Sequence, residues 1–263
     1  MIKKLLLAFF LVCSLSANAQ RIAIMGALDQ EIAILLDSMK GKKEVKRAGL
    51  TFFTGKLKGH KVVVIKSGVG KVNAAYSTAI LLDRFQPSQL IFTGVAGGLH
   101  PEALPGDIVI GTELVQFDFG QIDSTGFKVS PFRKLTGGRH EELQISADPV
   151  LLDKAIKAAE RMDFLTISSR KPKIFSGVIV TGDVFVSNKE TAESLHLDHQ
   201  ALATEMEGAA VAHLCRSLGV PFLVIRSCSD NANHQARVNF NQFVGPAAVN
   251  SAALVLNLIE DLK

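Results

Sequence analysis

Apolar strands and amphipathic helices alternate along most of this chain, and this alternation is the strongest constraint on its fold. The runs "RIAIM", "QLIFTG" and "PFLVI" carry no polar alternation, whereas "KVNAAYSTAILLDRF" carries apolar residues at helical spacing. Strands that are apolar throughout are typical of parallel strands covered by helices on both faces. The pattern therefore predicts an α/β fold, a single domain with a central mixed, largely parallel sheet flanked by helices.

Helices are predicted at about 29–39, 71–85, 149–162, 206–219 and 243–262. Strands are predicted within 21–27, 51–57, 60–68, 106–115 and 220–230, and 89–98 and 173–186 each begin as a strand and run into a loop. The polar segment 116–148 contains glycine and proline and receives no assignment.

The first twenty residues match a signal peptide. "MIKKLLLAFFLVCSLSANAQ" has a basic start, a short apolar run and Ala17-Asn18-Ala19 before Gln20. The apolar run is too short for a spanning helix, which needs about 20 apolar residues. We expect residues 1–19 to be a cleaved signal peptide and 20–263 the mature domain, periplasmic or secreted, without a stable membrane anchor.

Composition limits the other classes of function. The 263 residues carry a formal charge of +4, which falls to +2 without Lys3 and Lys4, too mild to indicate nucleic-acid binding. The basic stretch Lys40–Arg47 is predicted to be a solvated loop. Cys215 and Cys228 lie in apolar stretches and are expected to be buried free thiols.

Acidic residues and glycines recur just after the predicted buried strands. They occupy 26–31, 94–98, 182–183 and 229–230. In open α/β sheets ligands bind beyond the carboxyl ends of the strands. These four loops therefore indicate one ligand site.

Several common motifs are absent. "SGVGKV" fails the phosphate-loop pattern, because Ile65 and Val72 stand where glycine and a hydroxyl residue are needed. No dinucleotide fingerprint follows the first strand. His196 and His199 are three residues apart, but no third ligand is evident, and a surface helix explains them. The sequence thus indicates no metal and no cofactor, and it favours catalysis by carboxylates.

Seven stretches in order, "GALDQEI", "SGVGKVNAA", "TGVAGGL", "GDIVI", "VTGDVFV", "ATEMEGAAVAHLC" and "PFLVIRSCSD", resemble the 5′-methylthioadenosine/S-adenosylhomocysteine nucleosidases of the nucleoside phosphorylase superfamily. The resemblance runs from about Arg21 to the C-terminus, except for 116–148. It implies a nucleoside phosphorylase-like fold and hydrolysis of the adenine–ribose bond of a small adenine nucleoside, without metal or cofactor.

The resemblance implies catalytic roles for two carboxylates. Asp230 would be the general acid serving N7 of adenine, and Glu31 the base that holds the attacking water. Glu207 would bind the ribose hydroxyls, kept ionised by a helix dipole, and Met206 would pack on the sugar. Glu205 would be a supporting carboxylate.

The resemblance also implies the remaining substrate-binding residues. Phe185 would stack on the purine and the Val186 backbone would read its edge. Leu28 and Phe240 would line the pocket of the 5′ substituent. Arg226 and Ser229 would orient Asp230. The glycines at 94, 97 and 98 would let the backbone approach the sugar closely, and Val95, Ala96 and Gly97 would be among the substrate-binding residues.

The sequence departs from the family at two places. Val95 stands where a serine often precedes Ala-Gly-Gly, which removes a hydroxyl that helps related phosphorylases to hold phosphate and favours water as the nucleophile. The segment from Phe117 to Phe132 does not align. In this family that region commonly contributes to the dimer contact and the 5′ pocket, and a homodimer is expected.

Two alternatives remain open. A phosphate-dependent nucleoside phosphorylase would release ribose 1-phosphate. An exported binding or adhesive protein on the same fold would instead use Lys40–Arg47 to bind acidic polymers.

Overall fold

The computed structural model describes residues 21–133 and 142–262. The predicted signal peptide, residues 1–19, lies outside the described residues, and so does part of the unassigned segment. The strands are β1 (Ile22–Gly26), β2 (Lys40–Arg47), β3 (Leu50–Leu57), β4 (His60–Lys66), β5 (Gln89–Gly98), β6 (Ile108–Gln116), β7 (Gly120–Asp123), β8 (Gly126–Val129), β9 (Gln144–Ser146), β10 (Ile174–Thr181), β11 (Ala201–Glu205) and β12 (Phe222–Asp230). The helices are α1 (Asp29–Ser38), α2 (Lys71–Phe85), α3 (Pro149–Glu160), α4 (Lys189–His199), α5 (Gly208–Ser217) and α6 (Ala236–Glu260).

Ten of these strands form one mixed sheet in the order β11-β10-β6-β12-β5-β1-β4-β3-β2, with β9 beside β6. The central strands β4, β1, β5 and β12 pair in parallel. Strand β11 also pairs back onto β5, through Thr204 opposite Gly97. The predicted α/β fold with a mixed sheet is confirmed. The return of β11 to β5 brings the "EMEG" segment beside the glycine-rich end of β5.

Burial explains why the central strands were visible in the sequence. Every residue of β1 and β12 is buried, and helix α6 packs on β5 and β12. Helix α6 is long and apolar enough to span a membrane, but half of its most apolar window is buried in the protein, as in a core helix. Cys215 and Cys228 are free and buried, as predicted.

Helix α3 begins, and helix α5 ends, close to the predicted limit, because local signals set these two positions. Helix α3 begins with Pro149 after Asp148, whose side chain accepts hydrogen bonds from the N–H groups of Val150 and Leu151. Gly219, just after α5, adopts a φ of +69°, which glycine tolerates best. The predicted surface helix with His196 and His199 is α4.

Other predictions were wrong. Lys40–Arg47 is not a loop but the edge strand β2, whose half-buried Val45 lies opposite Phe52. An edge strand tolerates many lysines because one side of it has no neighbouring strand. The helix predicted from Met206 begins at Gly208, after strand β11, and the helix predicted from Phe243 begins at Ala236.

Candidate active site

A cavity of about 360 Å³ lies at the carboxyl ends of β1, β5, β11 and β12. All the predicted site residues except Arg226 line it. They are Leu28, Glu31, Val95, Ala96, Gly97, Phe185, Val186, Met206, Glu207, Ser229, Asp230 and Phe240. The parallel sheet explains this convergence, because the loops after parallel strands meet at one edge.

Glu31 is held by three backbone donors. It lies in the first turn of α1, and its carboxylate accepts hydrogen bonds from the N–H groups of Ala27 (2.5 Å), Leu28 (2.8 Å) and Val95 (2.9 Å). Gly94 leaves room for it, since a Cβ there would lie 2.6 Å from Glu31 Oε1. Burial raises the pKa of Glu31, although the Arg226 charge and these donors oppose the rise. Such a carboxylate is fixed in place and can accept a proton.

Asp230 ends strand β12 in a different environment. Its carboxylate accepts hydrogen bonds from Ser229 Oγ (2.9 Å) and the N–H group of Ala232 (2.8 Å). Burial raises the pKa of Asp230 to about 6, with these hydrogen bonds opposing the rise. The geometry agrees with the predicted position of Ser229 beside the acid.

Contrary to our prediction, Arg226 does not orient Asp230. Its guanidinium lies 2.5 Å from Glu205 and 4.0 Å from Glu207, and it stacks 4.2 Å from the centre of the Phe92 ring. A buried guanidinium needs an anionic partner, and the buried carboxylate of Glu205 provides it. Asp230 is hydrogen-bonded by Ser229 instead. Burial lowers the pKa of Arg226, but the charges of Glu205, Glu31 and Glu207 raise it by more than burial lowers it. The net change in the pKa is therefore upward.

Glu205 is the best connected of the carboxylates. Besides Arg226, it accepts hydrogen bonds from Thr181 Oγ1 and from the N–H groups of Glu207 (3.1 Å) and Gly208 (2.7 Å). It therefore bonds the N-terminal N–H groups of α5, a place that we had expected Glu207 to occupy. Glu205 was singled out in the sequence only as a supporting residue.

Glu207 precedes α5, but its side chain turns to another loop. Its Oε1 accepts a hydrogen bond from the N–H group of Gly70 (2.8 Å). Burial and the neighbouring charge of Glu205 raise the pKa of Glu207, and Arg226 opposes the rise. The charge on Glu207 therefore depends on the charged groups around it.

Aromatic residues form another wall of the cavity. Phe185 and Phe240 meet edge to face, with ring centres 5.8 Å apart. The guanidinium of Arg237 lies 4.2 Å from the centre of the Phe185 ring. Arg237 was not predicted, because the last helix was expected to begin only at Phe243. The lining residues Ala27, Val69, Val184 and Thr204 were not predicted either.

The arrangement supports acid–base chemistry on a ligand held between carboxylates. A carboxyl with a raised pKa can donate a proton, and a second, fixed carboxylate can accept one. Within residues 21–133 and 142–262, no three His, Cys, Asp or Glu side chains are grouped as metal ligands.

Comparisons with known proteins agree with this geometry. Residues 21–260 match the sequence model of the Phosphorylase superfamily. A 5′-methylthioadenosine/S-adenosylhomocysteine nucleosidase of Mycobacterium bovis is 37% identical over 255 residues, which cover 92% of this chain and 97% of that protein. The nucleosidase of Bacillus cereus strain AH187 is 37% identical over 244 residues, covering 92% of this chain and all of that protein.

Solved structures are similar as well. The Neisseria meningitidis nucleosidase in complex with methylthio-immucillin-A superposes with a TM-score of 0.79 at 33% identity, covering 92% of this chain and 100% of that one. The Colwellia psychrerythraea nucleosidase in complex with adenine gives 0.80 at 36% identity, with coverages of 92% and 95%.

Proposed function

The chain belongs to the Phosphorylase superfamily and, within it, to the 5′-methylthioadenosine/S-adenosylhomocysteine nucleosidases, and on this premise we propose that it hydrolyses the N-glycosidic bond of such adenine nucleosides. The products are adenine and the 5-substituted ribose. One observation carries the proposal: Glu31, Glu207 and Asp230, from three separate parts of the chain, line a single cavity.

The proposed reaction uses each carboxylate once. As the bond between C1′ and N9 breaks, Asp230 donates its proton to N7 of adenine, so that the purine leaves neutral. Positive charge then develops on the ribose, and ionised Glu207 stabilises it while accepting the ribose hydroxyls. Glu31 removes a proton from the water whose oxygen bonds to C1′. The proton on Glu31 finally replaces the one that Asp230 gave.

Water rather than phosphate is the proposed nucleophile. Val95 lines the cavity without a hydroxyl, and its N–H group is bonded to Glu31. The test is the release of adenine from methylthioadenosine and S-adenosylhomocysteine in phosphate-free buffer. We expect turnover that added phosphate does not increase, and loss of turnover in Glu31→Gln. Strict dependence on phosphate, with ribose 1-phosphate as product, would instead indicate a phosphorylase.

The enzyme is also proposed to be a homodimer. Four exposed apolar residues lie next in the chain, or nearly so, to Lys71 and its ion-pair partners at the cavity rim. Their exposed fractions are 46% for Val69, 79% for Val72, 38% for Phe119 and 50% for Val184. A second copy would cover this surface, which is open beside the substrate. Sedimentation should show a dimer for the wild type and a monomer for Val72→Glu. Leu197→Glu, on exposed α4, is the control and should stay dimeric; a monomeric wild type would refute the proposal.

Export is proposed from residues 1–19. The family match begins at Arg21, directly after the proposed cleavage site, which supports a separate leader. N-terminal sequencing of protein from a periplasmic extract should start at Gln20. Ala17→Arg/Ala19→Arg should block cleavage. Recovery of the wild type only from the cytoplasm, with Met1 retained, would exclude export.

A further inference from the structure

A row of four cationic residues crosses the sheet far from the nucleoside cavity. Lys40, Lys56 and Lys61 lie directly opposite one another on β2, β3 and β4. Ile22 pairs with Val62, so Arg21 stands beside Lys61 in the same register. All four side chains line one cleft of about 340 Å³. We call Arg21, Lys40, Lys56 and Lys61 the cationic row.

The cationic row has no internal counter-charge. Among the residues that the structure describes, no ion pair or side-chain hydrogen bond includes any of its four side chains, and Arg21 Nε is buried without a partner. Two of the other lysines nearby are paired, Lys58 with Glu260 and Lys46 with Glu44. Like charges directly opposite one another destabilise a sheet. An anion in the cleft would remove this repulsion.

Protection of the sheet edge does not explain the row. Lysines on an edge strand prevent another chain from pairing with it, and β2 is such a strand. However, Lys56 and Lys61 lie on the second and third strands, and Arg21 precedes the fourth. Charges at these inner positions do nothing for the edge, so the continuation of the row inward needs another cause.

We propose that the cationic row binds a small oligoanion with at least two phosphate groups. A phosphate monoester carries a charge of about −1.5 to −2 at pH 7, so two such groups offset the four cations. Lysine binds phosphate as a point charge, and the arginine adds a fork of N–H donors. The cleft lies at the amino end of β1, and the nucleoside cavity lies at the carboxyl end of the same strand. The two ends of this five-residue strand are roughly 16 Å apart. Both sites can therefore be filled together.

Calorimetric titration with inorganic tripolyphosphate tests the proposal, with adenine present at saturation to fill the nucleoside cavity. We expect one saturable site per chain in the wild type and at least tenfold weaker binding in Lys56→Gln/Lys61→Gln. That variant should keep its rate of adenine release, and its melting temperature without ligand should not fall and can rise, because it loses only mutually repelling charges. Its melting temperature should no longer rise with tripolyphosphate.

The matched control is Lys42→Gln/Lys46→Gln, which removes two charges from β2 outside the cleft. It should bind tripolyphosphate as the wild type does. Equal weakening in both double variants would show that only net charge matters and would overturn the proposal, as would the absence of saturable binding to the wild type. Titration with a nucleoside triphosphate identifies the source of the phosphates: binding as tight as that of tripolyphosphate, and lost in the same variant, extends the site to organic oligophosphates.

Discussion

At the scale of single residues, Glu31 and Asp230 differ in their hydrogen-bond partners, although burial raises the pKa of both. Three backbone N–H groups point at Glu31 and oppose the rise in its pKa. Asp230 has two donors, and its pKa rises to about 6 through burial. Asp230 therefore retains a proton closer to neutral pH than an ordinary aspartate does, as a general acid requires.

Replacement of Asp230 by asparagine should abolish the proton donor while preserving shape. Because general acid catalysis contributes about 10²–10⁴-fold, the rate of adenine release should fall at least that far. Ser229→Ala removes only one hydrogen bond to the carboxylate and should cost less. Thermal unfolding of each variant checks that the fold is intact. A turnover of Asp230→Asn near that of the wild type would disprove the assignment.

Arg226 and Glu205 should be coupled in stability. Their side chains are 1% and 2% exposed, so Arg226→Met leaves a buried carboxylate without its partner. Breaking a buried pair in this way costs about 3–5 kcal/mol in the free energy of unfolding. Urea unfolding should show this loss for Arg226→Met and a smaller loss for Arg226→Met/Glu205→Gln. If the double variant were the less stable of the two, the pairing would not be the cause.

At the scale of elements, one ion-pair cluster connects the loops around the cavity. Lys71 Nζ lies 2.5 Å from Asp118, after β6, and the Lys71 N–H group donates to Asp183, after β10. The N–H group of Asp183 in turn donates to Asp118. The residue before Lys71 is Gly70, which bonds Glu207. The cluster thus positions the Glu207 contact and the loop that carries Phe185, although neither aspartate lines the cavity.

Asp118→Asn should therefore weaken substrate binding. Loss of a charge-assisted hydrogen bond costs about 1.5 kcal/mol, which corresponds to roughly a tenfold rise in KM. The value of kcat should change less, because the loops contact ground state and transition state alike. Steady-state kinetics separate the two constants. Asp123→Asn, whose carboxylate pairs with Lys128 in the β7–β8 hairpin, is the control and should match the wild type. A fall in kcat at unchanged KM would contradict this positioning role.

At the scale of the whole molecule, the buried acids make stability depend on pH. The pKa of Asp230 is about 6 in the folded protein, against an ordinary value of 3.8. For an acid whose folded pKa is raised, the stabilising contribution is complete below the unfolded pKa and is lost as pH rises through the folded pKa. Between pH 4 and 7 this loss amounts to about 2 kcal/mol for Asp230, because the unfolded aspartate is already partly ionised at pH 4.

Asp230→Asn should remove this pH dependence. Relative to the wild type, the free energy of unfolding of the variant should increase by about 2 kcal/mol from pH 4 to pH 7. Urea unfolding of both proteins at the two pH values measures the difference. Groups that titrate elsewhere cancel in this comparison. Parallel curves would show that Asp230 does not titrate in this range.

Much of the fold was predictable because burial leaves a mark on the sequence. The central strands are apolar on both faces, and α1, α2 and α3 follow helical spacing with local end signals. Strand β2 was missed because it is an edge strand whose residues are exposed on both faces apart from Val45. Its sequence therefore shows no alternation of apolar and polar residues. Strand β11 is short and is stabilised by its two neighbours rather than by its own composition.

From the strand pattern, Glu31 and Asp230 could be placed at the carboxyl ends of buried strands, which meet at one edge of the sheet. Glu207 was predicted only through the resemblance to the nucleosidases, because strand β11 before it was not predicted. Their catalytic roles stay predictions. Only the tertiary structure decided that Arg226 bonds Glu205 rather than Asp230, and that Arg237 covers Phe185. It alone also aligned the cationic row, because strand register joins residues far apart in the chain. Local patterns report burial, whereas the choice of partner depends on distances that arise when the strands pair.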